Sequence, residues 1–478
     1  MTTLVFVHGW SVTNTSTYGA LPQRLQQQAA VDGMSLELAD IWLSEYVSFD
    51  DAVTMGDLVR AFDHALRDLH LIGSSFACIT HSTGGPVVRE WLRAQRERPG
   101  AYSTIRLTHL VMLAPANFGS ALAQIGKHML GQIKAFWNGV EPGRRILDWL
   151  ELGSAESLSL NLDYIHGSDL AADHQYLFVL TGDRPDRSLY DYVNSYTGED
   201  GSDGVVRIAA ANLNAHHAVL ASQGSSQTSD KLSLHLTRAP RSAFKLIAGA
   251  AHSGDAQGIM ATAAMATVQA ILRCLCVNDA PGYSKLCDAF ERENAARDAD
   301  KVELEPVGPF SPRVHIHDPR SLLIVRLTDE TGEALSGSRL LLDAGSPPNP
   351  DWMPAGFLLD RQANSFSPHV LSLFLNYALL AGDARVADPA NSRKTLRAAM
   401  SSHRPYGVDI RPADLSGLVH HALAHTTDSD DLFDALAPHQ TTVLDVVLPR
   451  KVHEGVFRFT QTLTAEDFSQ PITGPMIP

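Results

Sequence analysis

Phe76-Ala77-Cys78-Ile79-Thr80-His81-Ser82-Thr83-Gly84-Gly85-Pro86-Val87-Val88-Arg89-Glu90-Trp91-Leu92 is the most informative stretch of the 478-residue chain. Its first half is a short apolar run of strand type, and its second half sets Val88, Trp91 and Leu92 at helical spacing. Between the two, Thr80-His81-Ser82-Thr83-Gly84-Gly85 must turn the chain from strand to helix within a few residues. A serine on so tight a turn projects its hydroxyl above the sheet, and small neighbours are required because a bulky side chain would clash there. The helix that follows points its N-terminal dipole at any oxyanion formed beside that hydroxyl.

Outward from this stretch, strand-like runs alternate with helical patterns over roughly the first 280 residues. The runs are Leu4–Val7, Leu36–Ile41, Phe76–Thr80, Leu107–Leu113, Tyr176–Thr181 and Phe244–Ala248. Between them, Leu58, Ala61, Phe62, Ala65, Leu66 and Leu69 make one helix face apolar, and Val268, Ile271, Leu272 and Leu275 repeat the pattern. Alternation of this kind predicts an α/β domain, a mostly parallel sheet covered by helices. The segment 115–173 is too long for an ordinary crossover and predicts an insertion with structure of its own. Leu122, Ile125, Met129, Ile133, Phe136 and Trp137 line one helical face within it, with Lys127 and Lys134 elsewhere. Such a stripe fits either a lid over a substrate or an ordinary packed helical excursion.

Past residue 300 the texture changes. Ser321–Thr328, Arg339–Asp343, Thr442–Val447 and Gly455–Gln461 are strand-like and separated by turn residues, which predicts a β-rich, sandwich-like C-terminal domain over 305–478. The acidic stretch 288–304 reads as the linker, leaving 1–287 as the first domain, and residues 367–435 read as more helical or irregular.

With 38 Lys+Arg against 53 Asp+Glu, the net charge of −15 disfavours a general nucleic-acid binder, and 44% hydrophobic residues exclude a disordered or collagen-like chain. The cysteines, Cys78, Cys274, Cys276 and Cys287, have no paired metal spacing and read as buried or reduced thiols. Met1-Thr2-Thr3 runs straight into Leu4-Val5-Phe6-Val7, so no secretory signal is expected. Gly258–Val277 is interrupted by Thr262, Thr267, Gln269 and Arg273, which fits a packed helix rather than a transmembrane segment. The expectation is a soluble protein, cytoplasmic or exported without a classical signal peptide. No metal site is expected: His315-x-His317 and Val419-His-His-Ala-Leu-Ala-His425 lack an acidic or cysteine partner, and Asp200 and Asp203 read as a solvated acidic loop.

The 76–92 stretch resembles the nucleophile elbow of the α/β-hydrolase superfamily, specifically of lipases and esterases. The general pattern is G-x-S-x-G, and this chain departs from it with Thr80 at the first position. Leu4-Val5-Phe6-Val7-His8-Gly9-Trp10 resembles the strand and H-G turn that supply an oxyanion-hole amide in these enzymes, with His8 structural. The resemblance, which covers roughly residues 1–277, implies a compact α/β-hydrolase sheet with 115–173 as its lid. It also implies that the backbone N–H groups of Trp10 and Thr83 form the oxyanion hole, on the order of 3 kcal/mol per donor in comparable sites. Leu113-Ala114-Pro115-Ala116-Asn117-Phe118-Gly119-Ser120 is similar to the turn that follows the next strand in lipases, which implies pocket-wall roles near Asn117–Leu122.

Ser82 needs a base, and the base an acid to fix its tautomer. The family order is Ser, acid, His. Among 21 histidines, His252 in Ala248-Gly249-Ala250-Ala251-His252-Ser253-Gly254 follows the last predicted strand of the hydrolase domain, where the family places its base. His81 adjoins Ser82, but neighbours on an elbow point apart, so packing is its expected role. Two acids remain open. Asp203 lies in Ser202-Asp203-Gly204-Val205-Val206, similar to the acid-bearing turn of many lipases, and is favoured; Asp183 directly follows the strand Tyr176–Thr181.

By this resemblance the chain is a serine carboxylic ester hydrolase for hydrophobic acyl esters, of lipase or phospholipase type, with a Ser82-Asp203-His252 triad, an acyl-enzyme intermediate and no cofactor. Polyester hydrolase, thioesterase or amidase chemistry would use the same triad, and a non-catalytic hydrolase-fold scaffold is the reading from another class. The expected partners are a hydrophobic ester or lipid substrate and a peripheral membrane or polymer surface, with no nucleic acid; the oligomeric state is open.

Overall fold

Among the described residues the first half of the chain contains eight strands: β1 (Thr2–His8), β2 (Leu36–Trp42), β3 (Ser75–His81), β4 (Arg106–Leu113), β5 (Tyr176–Gly182), β6 (His216–Ser222), β7 (Lys231–Arg238) and β8 (Ala243–Ile247). Six of them form one sheet in the order β2-β1-β3-β4-β5-β8, every pair parallel. The structure is a computed structural model. It describes residues 2–8, 17–48, 50–71, 73–98, 104, 106–128, 143–167, 169–184, 199–222, 231–254, 257–261, 264–299, 301–305, 313–382, 385–388, 391–398, 405–413, 419–421, 424–426 and 431–452.

Each strand-like run of the first 280 residues falls on one of the six parallel strands, within two residues at its ends. These strands read as continuous apolar runs because the sheet is covered on both faces. Along β3, Phe76 and Cys78 enter one core with Val5, Val7, Leu110, Met112, Leu177 and Val179. Ala77 and Ile79 enter the other with Leu4, Phe6, Val111, Leu113, Phe178 and Leu180. The period of two in a strand produces this division.

The helices Met55–Asp68 and Gly84–Glu97 pack on the first face, and Leu21–Val31 and Met265–Leu275 on the second. The first of these is entered through a capping box, Thr54 accepting the Asp57 N–H while the Asp57 carboxylate accepts that of Thr54. Within the insertion 115–173, helices Arg144–Leu150 and Ala155–His166 bury Ile146, Trp149, Leu150, Leu158, Leu160 and Ile165 against the same core. These two helices are packed against the hydrolase core. The helix Ala121–His128 is described, with Leu122 half-buried against the core. Met129, Ile133, Lys134, Phe136 and Trp137 lie outside the described residues, as do the side chains of Ile125 and Lys127.

The β-rich C-terminal domain is present, and its main sheet recruits two strands from the first half. The nine-stranded order is Arg339–Ala344, Tyr406–Arg411, Ala424–Thr426, β7, β6, Thr441–Leu448, Arg320–Asp329, Val370–Asn376 and Leu358–Ala363, in mixed parallel and antiparallel pairing. One face of this sheet adds Leu322, Ile324, Val370 and Val443 to the hydrolase core, while Leu323, Val325 and Leu327 build a core of their own on the other face.

Two expectations change. The presumed linker 288–304 is largely helix, the second half of Ala280–Ala299, which buries Phe290 and packs on β8. The reading of 367–435 as helical or irregular gives way to strands Val370–Asn376 and Tyr406–Arg411. Val370–Asn376 is buried at every position, so it lacks the alternation that marks a half-buried strand. The predicted run Gly455–Gln461 lies outside the described residues.

Candidate active site

Ser82 takes a positive φ of 53° at the end of β3, the strained geometry that a sharp strand-to-helix turn demands. Its own N–H donates to the Leu113 carbonyl at 3.0 Å, and its carbonyl accepts from Gly85 N–H at 3.2 Å. The need for small neighbours follows from the clearances at the turn. A Cβ on Gly84 would lie 3.3 Å from Thr80 Cβ, and one on Gly85 would lie 2.9 Å from Pro115 Cβ. The helix Gly84–Glu97 starts directly beneath, with Thr83 at its N-cap in helical conformation and buried. Trp10, the other expected oxyanion donor, lies outside the described residues.

His252 reaches Ser82 from the loop after β8: Nε2 is 3.1 Å from Ser82 Oγ. On its far side Nδ1 is 2.9 Å from Asp203 Oδ2, while Asp203 Oδ1 accepts the N–H groups of Val205 at 3.0 Å and Val206 at 2.8 Å. The Asp203 carbonyl also accepts the His252 N–H at 2.9 Å, so backbone and side chain hold the pair in register. This chain of hydrogen bonds is what removal of a hydroxyl proton requires: an acceptor nitrogen on the oxygen, and a carboxylate on the other ring nitrogen to fix the tautomer.

Asp183, the other candidate acid, is engaged elsewhere. It accepts the Gly249 N–H at 2.7 Å and the Arg297 Nε–H at 2.7 Å. The loop around Asp203 is not the solvated acidic loop expected, since Asp203 is fully buried and Asp200 pairs with His317 and Arg320. Ser82 also departs from the freely projecting hydroxyl that the turn alone suggests. The residue is only 7% exposed.

His81 does more than pack. Its Nε2 lies 2.9 Å from the His252 carbonyl oxygen, and the two rings are 4.7 Å apart. Burial, reinforced by His252, pushes the His81 imidazole down to about 3, so it donates to that carbonyl as a neutral ring. His8 bonds Asp40 at 3.0 Å and packs against Tyr18 and Trp42, in the structural role expected of it. His317 is paired with Glu303, and no group of metal-ligand type occurs among the described residues.

Pocket-wall roles were expected near Asn117–Leu122. Asn117 is instead completely buried, with Nδ2 donating to the Ala211 carbonyl and Oδ1 accepting from Arg89, and Ser120 Oγ donates to the Val205 carbonyl at 2.5 Å. It braces the acid-bearing loop.

The solved structure of phospholipase PlaB from Legionella pneumophila superposes on the whole chain with a TM-score of 0.83 and 38% sequence identity, over 100% of this chain and 99% of that one. The chain belongs to the PlaB phospholipase family. A second PlaB structure, in complex with thio-NAD, gives a TM-score of 0.82 and 37% identity over 100% of both chains. No protein-family model and no curated protein matches the chain. As a PlaB-family protein, the chain is a lipase/phospholipase-type α/β-hydrolase, an ester hydrolase whose C-terminal domain is shared with the relative over its full length. Among its described residues no helix is long and apolar enough to cross a membrane.

The sequence reading missed β6 and β7. Lys231-Leu232-Ser233-Leu234-His235-Leu236-Thr237 alternates between leucine and polar residues, the signal of a half-buried strand that would have found β7.

Proposed function

We propose that the chain hydrolyses acyl ester bonds of phospholipids through an acyl-enzyme formed on Ser82. Two findings support this: the Ser82-His252-Asp203 hydrogen-bonded chain, and full-length similarity to a phospholipase. The first is the observation that carries it.

Ser82 Oγ attacks the ester carbonyl carbon while its proton passes to His252 Nε2, and the carbonyl π electrons collect on oxygen. The N–H groups of Thr83 and Trp10 hold that charge, at the N-terminus of the helix Gly84–Glu97. Asp203 stabilises the imidazolium and keeps Nε2 aimed at Ser82. The intermediate collapses, the leaving alkoxide takes the proton from Nε2, and the acyl group stays on Oγ. Water then attacks the acyl carbon, gives its proton to Nε2, and the proton returns to Ser82 as the fatty acid leaves.

The test is labelling by a fluorophosphonate probe together with fatty-acid release from phosphatidylcholine vesicles. Wild type is expected to label and hydrolyse, and Ser82→Ala to do neither; undiminished hydrolysis by Ser82→Ala would overturn the reading. A parallel panel of p-nitrophenyl esters, triglycerides, thioesters and amides separates phospholipid hydrolysis from the other chemistries this triad could run. Because the relative has been solved with thio-NAD, a nicotinamide dinucleotide belongs among the ligands to screen by thermal shift.

A further inference from the structure

The loop that carries Asp203 is closed on itself, with Ser202 and Arg207 bridged across its base and the Ile208 N–H bonded to the Gly201 carbonyl at 3.0 Å. Its inner side makes the hydrogen bonds to His252 already described. Its outer side is held by something else. Arg207, 1% exposed, sends its guanidinium away from the hydrolase sheet, where Nε and Nη2 meet the two Glu199 carboxylate oxygens at 2.9 and 3.1 Å and Nη2 meets Asp360 Oδ2 at 2.5 Å. The same guanidinium lies over the Phe374 ring, 4.2 Å from its centroid.

Asp360 and Phe374 are direct cross-strand partners in the C-terminal sheet, so one face of two adjacent strands offers an anion and an aromatic plate to a single cation. A second grip lies at the other end of the loop. Gly201, at φ 81°, sits so close to this sheet that a Cβ there would be 2.7 Å from Arg320 Cδ and 3.3 Å from the Phe374 ring. Only three residues separate Asp203 from Arg207 in sequence, and the loop is braced from the hydrolase side by Ser120. A displacement of Arg207 is therefore passed to the carboxylate.

We infer that Arg207 is a positioning residue, and that the C-terminal domain, through Asp360 and Phe374, clamps the loop that presents Asp203 to His252. The inference rests on the triad reading above. It gives the C-terminal domain a part in the chemistry itself, beyond any part in meeting a lipid surface. Arginine suits the role because its planar fork can bond two carboxylates while its face stacks on a ring, which a lysine ammonium cannot do at once.

The experiment uses the full-length chain and a soluble short-chain p-nitrophenyl ester, comparing wild type with Asp360→Asn, Phe374→Leu, Arg207→Lys and the double variant Arg207→Lys/Asp360→Asn. Asp445→Asn is the control, a carboxylate of the same sheet that pairs with Arg326 and His217 instead. Rates are normalised to the folded fraction from circular dichroism. A shift of about 1 Å at a catalytic group costs on the order of 100-fold, so each clamp variant is expected to lose about 10- to 100-fold in kcat with KM within about twofold. The double variant should lose no more than the worse single one. The low-field proton resonance of the His252–Asp203 hydrogen bond should shift or broaden in Asp360→Asn and stay in place in Asp445→Asn. Clamp variants with wild-type kcat and an unmoved resonance would overturn the clamp, as would an equal loss in Asp445→Asn. Ser82→Ala and Asp203→Asn run alongside: if they keep turnover, the triad reading falls and takes the clamp with it, whereas loss in those two beside intact clamp variants sinks the clamp alone.

Discussion

Asp203 meets His252 twice, once through its carboxylate at 2.9 Å from Nδ1 and once through its carbonyl, which accepts the His252 N–H at 2.9 Å. The double contact joins a loop after β5 to a loop after β8, and makes the orientation of the imidazole a property of two backbones rather than of one side chain. Asp183, by contrast, is committed to Gly249 and Arg297.

Asp203→Asn should therefore lower kcat by about 10⁴-fold with little change in KM, since the amide no longer fixes the productive tautomer. Asp183→Asn should keep kcat within about twofold and lower Tm by a few degrees, having removed one partner of a mostly buried ion pair. Steady-state kinetics and thermal denaturation of the two variants separate the roles. A larger kcat loss in Asp183→Asn would reverse the assignment.

At the elbow, Gly85→Ala places a methyl group 2.9 Å from Pro115 Cβ and 3.2 Å from Met112 Sδ. Overpacking of this kind costs about 1–3 kcal/mol, and here it pushes directly on the turn that aims Ser82. The expected outcome is a lower Tm and a slower second-order rate of fluorophosphonate labelling. A variant that labels at the wild-type rate would show that the clearance is not needed.

Acid should destabilise the fold before it reaches the carboxylates. His81, His109, His216 and His369 are each held below the ordinary 6.5, with burial as the first cause in every case. Below that pH the unfolded chain takes up protons that the folded chain refuses, so the contribution is fully present above pH 6.5 and is lost as pH falls toward the lowered values. Each such proton gives a slope of about 1.4 kcal/mol per pH unit. His81→Gln should flatten the fall in urea stability between pH 7 and pH 5. An unchanged slope would show that His81 protonates in the folded chain.

Truncation after residue 300 should not leave a working hydrolase. Leu322, Ile324, Val370 and Val443 belong to the hydrolase core, and burying such a side chain contributes about 1.5–3 kcal/mol. The β6–β7 hairpin would also lose the parallel pairing of β6 with Thr441–Leu448. The expected product is insoluble or binds a hydrophobic dye. A soluble fragment with wild-type kcat would contradict both this packing and the clamp on Arg207.

The elbow that carries Ser82 and the loop that carries His252 were legible because their surroundings are local. A turn between a strand and a helix is written in a dozen neighbouring residues, and His252 follows an apolar strand that announces itself. The parallel sheet was legible for the same reason, since strands buried on both faces appear as apolar runs whatever their order.

Other features were out of reach of any local pattern. Asp203 and Asp183 both follow β5 in sequence, and no local pattern shows that an arginine 114 residues beyond Asp183 bonds its carboxylate. The union of β6 with Thr441–Leu448, and of Arg207 with Asp360, joins segments separated by 228 and 153 residues in their bonded pairs. Sequence alone determined the local bends, the burial periods and the chemical types available at each bend. Only the tertiary structure decided which distant groups would share a charge, because pairing energy depends on where a partner is held, and the side chains around a residue do not record it.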